Sequence, residues 1–388
     1  MNSPRILIAA SMNGGAEAVA PVANRLRERK IPCQVLLSGA AERNLKDFRG
    51  EADVKNQTTS AFCSALIKTY APTTILTGTQ VQSKEGPVTL EQMLWEAGRE
   101  AGIRTIAVMD TWGNEAERFS DLETGVQGRT AAIVGKLTRM PEIITAIDEY
   151  QKRVMLAQGF PEDNIRVAGN PYFEKVAAEF ATLSPGTREE LLAKPVFSNF
   201  HPDGKTIVFM SDTMAGYPDI GFTEKSVLQS FLRIMDELAK RTGMKINVIV
   251  RPHPFRNQDA ADAFNCETPN IRKVLHNPVS ARGGDPQNEY SMEQLLYAVN
   301  LVVGTFNNPL VTAKICGRPV IHWLPGIKPG YEFQLFMSEQ GMSHRLTDGR
   351  ELGEMMLAGF TIKLIEGSIQ QKPMDSAHGA IDRVIALL

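Results

Sequence analysis

The sequence predicts an α/β protein of two domains, each a doubly wound parallel sheet with helices on both faces. With 388 residues, the chain is too long for one ordinary hydrophobic core. Short apolar runs such as residues 5–10 (RILIAA) alternate with amphipathic segments, a pattern typical of buried parallel strands connected by helices. The alternation restarts at residue 206, after a segment that contains Pro185, Pro195 and Pro202. Two sheets are therefore expected rather than one.

In the first half of the chain, predicted strands alternate with predicted helices. The strands cover residues 5–10, 33–37, 74–77, 104–109, 131–134, 142–147 and 165–167, and the helices cover residues 16–30, 58–70, 89–101 and the segment opened by Asp148 and Tyr150. Gly102 and Gly159 end two of these helices, because glycine accepts the left-handed conformation that often follows a helix. Pro161 presets a turn, and Gly169-Asn170-Pro171 separates the last strand from another helix.

The second half repeats the pattern. Its strands are predicted over residues 206–210, 246–250, 271–275, 301–303 and 319–322, and its helices over residues 223–241, 292–298, 309–316 and 377–388. We expect an N-terminal domain over residues 1–178, a linker over 179–205, a C-terminal domain over 206–374 and a C-terminal helix over 375–388.

Composition excludes several classes of protein. A net charge of −2 and a pI near 6.4 give no electrostatic reason to expect nucleic acid or an anionic membrane as a partner. The sequence contains no apolar run near the ~20 residues that span a bilayer, and because residues 1–5 lead directly into the first predicted strand, we expect no signal peptide. The four cysteines are scattered, and the histidines form no spaced metal cluster. We expect a cytoplasmic protein without a metal or other cofactor, and the oligomeric state stays open.

Residues 147–176 (IDEYQKRVMLAQGFPEDNIRVAGNPYFEKV) give the most specific signal of architecture. The order helix, Gly-Pro turn, strand and "GNP" resembles the approach to the second domain in sugar-nucleotide enzymes of the GT-B architecture. That resemblance implies two Rossmann-like domains facing a cleft, with the last helix packing back on the first domain.

The loop after the first strand is one candidate site. Gly14 and Gly15 would let the backbone approach a ligand closely, and the start of the following helix would attract an anion. Glu17 lies where the catalytic acidic residue lies in some transferases of the resembled fold, notably the Kdo transferases. It is therefore a candidate base, although a carboxylate at a helix start can also serve only to complement the helix dipole.

The loop over residues 110–119 (DTWGNEAERF) follows another strand and is expected to face the cleft. Asp110, Trp112, Asn114 and Arg118 offer a carboxylate, a stacking surface and hydrogen-bond donors, which together suit an acceptor site. The alternative is a surface loop in which Arg118 pairs with Glu115 or Glu117. Glu91, Glu96 and Arg99 are expected on the solvated face of the preceding helix.

Residues 248–257 (VIVRPHPFRN) give the clearest chemical signal. Prolines on both sides should hold His253 extended at the end of a buried strand, beside Arg251. The segment resembles the Pro-His loop of nonhydrolysing UDP-N-acetylglucosamine 2-epimerases and the Arg-Pro-His-Pro loop of glycerophosphotransferase-like enzymes. The resemblance implies that His253 donates to a diphosphate leaving group while Arg251 neutralises it.

Residues 301–319 (LVVGTFNNPLVTAKICGRP) resemble the phosphate loop and following helix of GT-B enzymes, with Gly317 and Pro319 at their Gly-x-Pro. Thr305, Asn307, Asn308 and the helix start are expected to contact phosphate. In the family this helix carries a glutamate for the ribose hydroxyls, whereas residues 311–313 here are Val, Thr and Ala. Recognition of the ribose must therefore differ, or the donor is not a standard nucleotide sugar.

Further polar residues follow other strands of the second domain. Ser211, Asp212 and Thr213 come after its first strand, and Tyr331-Glu332 follows a Pro-Gly turn. We expect Ser211 and Asp212 to contact the diphosphate, and Arg251, His253, Thr305 and Asn307 to converge on one anion site.

The resemblance favours a transferase that moves a glycosyl or glycerophosphate-like group from a nucleotide-activated donor to the hydroxyl of a glycan or small acceptor. Glu17 is the expected base, with Asp110 as the alternative, and His253 acts on the leaving group. A UDP-N-acetylhexosamine 2-epimerase, hydrolysing or not, is the alternative, although the glutamate pair of that class is missing from the phosphate-loop helix. A noncatalytic nucleotide- or glycan-binding protein is the third hypothesis.

Overall fold

The computed structural model describes residues 4–39, 41, 59–81, 88–120, 137–212, 214, 219–253, 258–276, 288–329, 336–361 and 377–388. The chain divides into two compact units: a first unit of Met1–Lys175 with Met374–Leu388, and a second unit of Val176–Pro373. Each unit contains one six-stranded sheet in which every strand pairing is parallel. The predicted class, α/β with two Rossmann-like doubly wound sheets, is confirmed. The strand predicted over residues 131–134 lies outside the described residues.

The first sheet has the strand order β2-β1-β3-β4-β5-β6. Its strands are β1 (Ile6–Ala10), β2 (Cys33–Leu37), β3 (Thr74–Thr77), β4 (Arg104–Val108), β5 (Ile143–Ala146) and β6 (Ile165–Val167), and its helices are α1 (Asn13–Glu28), α2 (Ser60–Tyr70), α3 (Leu90–Glu100), α4 (Glu149–Ala157) and α5 (Pro171–Ala181), the last of which continues into the second unit. The chain leaves β1 in one direction for β2 and returns on the other side of it to β3. This reversal creates a switch point between β1 and β3, where ligands bind in open α/β sheets.

The second sheet has the order β12-β11-β10-β7-β8-β9, which is the Rossmann order 3-2-1-4-5-6 read from its other edge. Its strands are β7 (Lys205–Met210), β8 (Ile246–Arg251), β9 (Arg272–Leu275), β10 (Leu301–Gly304), β11 (Val320–Trp323) and β12 (His344–Leu346), and its helices are α6 (Gly186–Leu192), α7 (Glu224–Thr242), α8 (Gln258–Phe264), α9 (Met292–Ala298), α10 (Asn308–Ile315), α11 (Phe336–Glu339) and α12 (Gly349–Thr361). The switch point of this sheet lies between β7 and β10.

Residues 179–205, expected as a linker, are folded. They contain α6 and a short 3-10 helix (Pro195–Phe197), and Leu191 and Phe197 are buried. Arg188 donates to the carbonyl oxygen of Ala298, which ties this segment to the second unit. Pro185 precedes α6 and Pro195 begins the 3-10 helix, so these two prolines belong to helix starts instead of a free connection.

The last helix, α13 (Ala380–Ile385), packs on the first unit. Val384 is fully buried in the core cluster that also contains Val22 of α1. Asp382 pairs with Arg29 at 2.7 Å, and Nε of Arg383 donates to the carbonyl oxygen of Ala168. Among the described helices of both units, none combines the length and the apolar character needed to cross a membrane.

Candidate functional site

The carboxyl edge of the first sheet is closely packed around glycines. A Cβ added to Gly78 would lie 2.5 Å from the Cα of Gly15, and a Cβ on Gly14 would overlap the carboxylate of Asp110. α1 begins at Asn13, three residues earlier than predicted, so both glycines of the expected loop lie inside its first turn. Packing accounts for Gly14 and Gly15, and their role toward a ligand stays a prediction.

Asp110 lies in a buried ion pair directly after β4. Its Oδ1 accepts from Nη1 of Arg118 at 2.7 Å and from the hydroxyl of Thr79 at 3.2 Å, and the two charged side chains are only 12% and 6% exposed. The expected alternative, Arg118 pairing with Glu115 or Glu117, is not what the structure places here. Among the described residues, Oδ2 of Asp110 has no hydrogen-bond partner. One oxygen of the carboxylate is therefore fixed while the other lies beside Gly14.

The expectation that Trp112 offers a stacking surface to a ligand is wrong. Its ring is 8% exposed and stacks on Phe173 at a centroid distance of 5.6 Å, and its Nε1 donates to Asp148. Asn114 is exposed at the tip of the same loop, with a φ of 56°. Of the four expected acceptor residues, Asp110 and Arg118 form an ion pair, whereas the Trp112 ring packs on α5 through Phe173.

Asn170 explains why the "GNP" segment matters for this edge. It is 1% exposed, its Nδ2 donates to the carbonyl oxygen of Asp110, and its Oδ1 accepts from the backbone N–H of Tyr172. The side chain therefore caps α5 and holds the Asp110 loop at the same time.

Glu91 is a buried residue that the sequence reasoning assigned wrongly to a solvated face. It is 0% exposed and accepts from the backbone N–H of Ser11 at 2.8 Å and from the Ser11 hydroxyl at 2.7 and 2.8 Å. The Ser11 hydroxyl also contacts Oε1 of Gln80. Burial raises the pKa of Glu91, and the hydrogen bonds from Ser11 oppose that shift. Thr89 and Gln92 form a capping box, which places Glu91 in the first turn of α3.

Glu17 is half-buried and is the fifth residue of α1, one turn further along the helix than expected. Glu96 of α3 pairs with Arg139 at 3.2 Å and is 48% exposed, in keeping with a solvated face. The role of Glu17 as a base stays a prediction.

Four predicted residues contact the switch point of the second sheet. The hydroxyl of Thr305 donates to Asp212 at 3.3 Å, and Nδ2 of Asn307 donates to the carbonyl oxygens of Met210 and Ser211 at 3.1 and 3.3 Å. The Ser211 hydroxyl donates to Glu224, a 4% exposed residue in the first turn of α7. The loops after β7 and β10 are thus fixed to each other.

His322 of β11 contacts the loop at this switch point, and it was not among the residues predicted for the site. It is 1% exposed, and its Nδ1 bonds the carbonyl oxygen of Thr305. Because a carbonyl oxygen only accepts, Nδ1 carries the proton and Nε2 is a bare acceptor. Nε2 and the Oδ1 of Asn307 are buried without a hydrogen-bond partner in the described part of the chain. Burial lowers the pKa of His322 to about 4, which keeps the ring neutral.

Arg251 and His253 lie at the end of β8. The carbonyl oxygen of Arg251 accepts from the backbone N–H of Ser211 at 2.9 Å, and its guanidinium contacts the sulfur of Met292 at 2.8 Å. Both side chains are half-buried. They end the strand next to β7, while Thr305 and Asn307 follow β10 on its other side. Their convergence on one anion stays a prediction, and Thr213, residues 254–257 and Tyr331-Glu332 lie outside the described residues.

The first turns of α10, the helix that follows this switch point, contain no carboxylate. Asn308 is exposed at its start, and Val311, Thr312 and Ala313 are buried against the sheet. Within the described ranges, no group of three or more His, Cys, Asp or Glu side chains could hold a metal ion.

No protein-family model matches the chain. No curated protein sequence matches it either. Solved structures do match over its whole length. UDP-GlcNAc 2-epimerase from Methanocaldococcus jannaschii is 13% identical, with a TM-score of 0.65, and 99% of each chain is covered. UDP-GlcNAc 2-epimerase from Neisseria meningitidis, bound to UDP-GlcNAc, is 14% identical, with a TM-score of 0.64 and 98% of each chain covered.

A third similar structure is the Anabaena HepE protein in complex with UDP-glucose. It is 15% identical, with a TM-score of 0.58, and the match covers 98% of this chain and 96% of that one. Identities this low carry information about the fold alone. The chain has the fold of these UDP-GlcNAc 2-epimerases, in agreement with the two-domain architecture that its sequence predicts.

Proposed function

We propose that this protein is an enzyme acting on a nucleotide-activated sugar or a related donor, with the nucleoside diphosphate bound at the switch point of the second sheet. The observation that carries this proposal is the fixed pair of loops formed by Ser211, Asp212, Thr305 and Asn307. Switch points of Rossmann-ordered sheets are ligand sites. The similarity to structures solved with UDP-GlcNAc and UDP-glucose supports a UDP-sugar as the first donor to test.

The residues at this edge divide between two kinds of ligand group. Arg251 and His253 supply a cation and an imidazole donor, and both suit the diphosphate. Asp212 is an acceptor and would repel a phosphate, so we assign it to hydroxyl groups of the ribose or sugar. It thereby supplies the carboxylate that α10 lacks at Val311 and Thr312. Asn308, exposed at the start of α10, completes the phosphate side.

For the reaction, we propose transfer to a hydroxyl acceptor as the first candidate. The absence of glutamates from the first turns of α10 favours it, because the resembled epimerases use a glutamate pair there. A UDP-N-acetylhexosamine 2-epimerase is the second candidate, and the whole-length similarity to UDP-GlcNAc 2-epimerases favours it.

The two carboxylates of the first unit that the sequence singled out have different surroundings. The guanidinium of Arg118 compensates the charge of Asp110 and fixes one of its oxygens, which suits a carboxylate that orients a hydroxyl. Glu17 is half-buried on α1 and stays the base predicted from the sequence.

Nucleotide binding tests the proposed ligand. A thermal-shift series with UDP, CMP, CDP, GDP and TDP should single out one base, because a ligand at about 100 times its dissociation constant stabilises by about 2.7 kcal/mol. His253→Ala should weaken that binding at least about tenfold, which corresponds to ~1.4 kcal/mol. His201→Ala is the matched control, since His201 contacts Asn247 at the amino edge of the same sheet. Equal affinity in both variants would reject the assignment of His253.

Product analysis separates the candidate reactions. Incubation with UDP-GlcNAc alone yields the 2-epimer if the protein is an epimerase, and NMR of the sugar detects it. A transferase instead releases UDP in the presence of a hydroxyl acceptor. Binding without any turnover across donors and acceptors would leave a noncatalytic binding protein. The single variants Glu17→Gln and Asp110→Asn, measured in parallel, then show which carboxylate is required. Loss of the base should lower the turnover rate ~10²–10⁴-fold.

A further inference from the structure

The strongest unexplained feature is a fully buried carboxyl group at the switch point of the first sheet, which has no cationic partner among the described residues. Glu91 is 0% exposed, and its side-chain partners in the described part of the chain are the N–H and hydroxyl of Ser11 and the side chain of Thr89. A buried carboxylate without a counter-charge is costly and tends to take up a proton instead. The group therefore needs an explanation beyond packing.

The described charged groups at this edge do not provide a counter-charge. Among the residues that the structure describes they are the Asp110–Arg118 pair after β4 and Glu17 on α1, and Arg118 is already paired at 2.7 Å. None of these charges is among the causes of the raised pKa of Glu91. Burial is the largest cause, and hydrogen bonds from Ser11, Thr89 and the helix backbone oppose it.

The hydrogen bonds around Ser11 can be satisfied in two ways that differ by one proton. Ser11 has a single hydroxyl proton, yet its oxygen contacts both the carboxyl group of Glu91 and Oε1 of Gln80. If Glu91 is protonated, it donates to Ser11, and Ser11 donates to the Gln80 carbonyl. If Glu91 is ionised, it accepts from Ser11, and the Gln80 amide must turn so that its NH₂ group donates to Ser11.

We propose that Ser11 and Glu91 form a proton relay in which Ser11 takes the proton of an acceptor hydroxyl and passes its own proton to Glu91. The inference rests on the transferase form of the proposed function. Ser11 is 9% exposed, and Gln80 is half-buried beside it, so a hydroxyl that takes the place of the Gln80 amide reaches the relay. Ser11 contacts the substrate, and Glu91 is the positioning residue behind it.

The step balances as follows. The acceptor oxygen forms its bond to the donor carbon as the bond from that carbon to the diphosphate oxygen breaks, and the nucleoside diphosphate leaves with the electron pair. The acceptor proton moves to Oγ of Ser11 while the Ser11 proton moves to Glu91. Glu91 later releases that proton to solvent by the reverse route. A proton acceptor with a raised pKa suits this task better than a carboxylate held in an ion pair.

Infrared titration tests the proton-holding part without any substrate. The wild-type protein should show a protonated carboxyl band that titrates above the ordinary glutamate range. Glu91→Gln should remove the band, whereas Glu96→Gln on the exposed face of the same helix should keep it. The absence of a band specific to Glu91 at any pH above that range would overturn the relay.

Rates test the functional part. With UDP-GlcNAc or UDP-glucose as the donor, Glu91→Gln and Ser11→Ala should lower UDP release by about two orders of magnitude and remove the acidic limb of the pH–rate profile. UDP affinity should stay within about twofold, since nucleotide binding is assigned to the second unit. An unchanged profile with intact UDP binding overturns the relay and leaves the proposed function standing. If Glu17→Gln loses turnover and Glu91→Gln does not, Glu17 is the base. Failure of every nucleotide to bind overturns the proposed function, and the catalytic part of the relay with it.

Discussion

Acidification should destabilise the second unit through His322. The ring is 1% exposed, its Nδ1 is bonded to Thr305, and its Nε2 has no partner in the described part of the chain. Protonation would place a second N–H and a positive charge in this buried site, where burial disfavours the charged form of the ring. Folded protein therefore resists the protonation that unfolded protein accepts freely.

The magnitude follows from the two pKa values of His322. Burial lowers the pKa from 6.5 to about 4. Because the folded pKa is lowered, the stabilisation is complete above the unfolded value and is lost as the pH falls towards the folded one. At ~1.4 kcal/mol per tenfold change in proton concentration, the loss between pH 7 and pH 4 is about 3 kcal/mol.

Urea unfolding of wild type and His322→Asn measures this term. Asn can still donate to Thr305 but does not titrate in this range. In a Trp95→Phe, Trp112→Phe background, Trp323 is the remaining tryptophan and reports on the second unit. The stability of the wild type relative to the variant should fall by about 3 kcal/mol on acidification. A difference that stays constant within about 0.5 kcal/mol would refute the reasoning, since the other histidines titrate in both proteins.

Three further predictions concern buried contacts of the first unit, and one of them is compared with a glycine in α12 of the second unit. Arg118→Met should cost about 3–5 kcal/mol and the double variant with Asp110→Asn clearly less than the sum, measured as a double-mutant cycle in urea. Gly78→Ala should cost about 1–3 kcal/mol because its Cβ meets backbone at 2.5 Å, whereas Gly353→Ala, with no atom within 4 Å, should stabilise by about 1 kcal/mol in the same assay. Asn170→Ala should cost about 1–3 kcal/mol and raise hydrogen exchange in the loop after β4, and unchanged exchange would contradict its bridging role.

The strands could be predicted from the sequence because parallel strands are buried on both faces. Runs such as β1 and β10 contain no polar side chain, and a short continuous apolar run of this kind is typical of a buried parallel strand. Helices with apolar stripes and caps, such as α3 and α7, were equally readable. Their order then determined the fold class, since alternating strands and helices form doubly wound sheets.

The elements that were missed have weak local signals. α12 contains Gly349 and Gly353, which lower helix propensity, and it forms because its apolar residues Leu352 and Met356 are buried in the core of the second unit. α6 has seven residues and no side-chain cap, whereas α9, which has the same length, begins with a capping box and was predicted. Tertiary packing determines these segments, and packing is not visible in a local window.

The candidate site was predictable only where one segment carried the whole signal. Arg251, His253, Thr305 and Asn307 stand out because strand, proline and polar turn follow each other directly. Glu91 does not, because its partner Ser11 lies 80 residues away and a carboxylate on a helix is usually solvated. Trp112 misled for the same reason: its stacking partner Phe173 belongs to another element.

A second serine–glutamate pair provides an internal comparison for the relay. Ser211 follows the first strand of the second sheet as Ser11 follows that of the first, and its hydroxyl donates to Glu224 at 2.8 Å in the first turn of α7. If such pairs only tether a strand end to a helix, Glu91→Gln and Glu224→Gln should both change stability and leave the acidic limb of the pH–rate profile intact. The Gln80 contact, which creates two proton arrangements at Ser11, distinguishes the first pair. We therefore expect only Glu91→Gln to remove that limb, and an intact limb in both variants would assign both pairs to architecture.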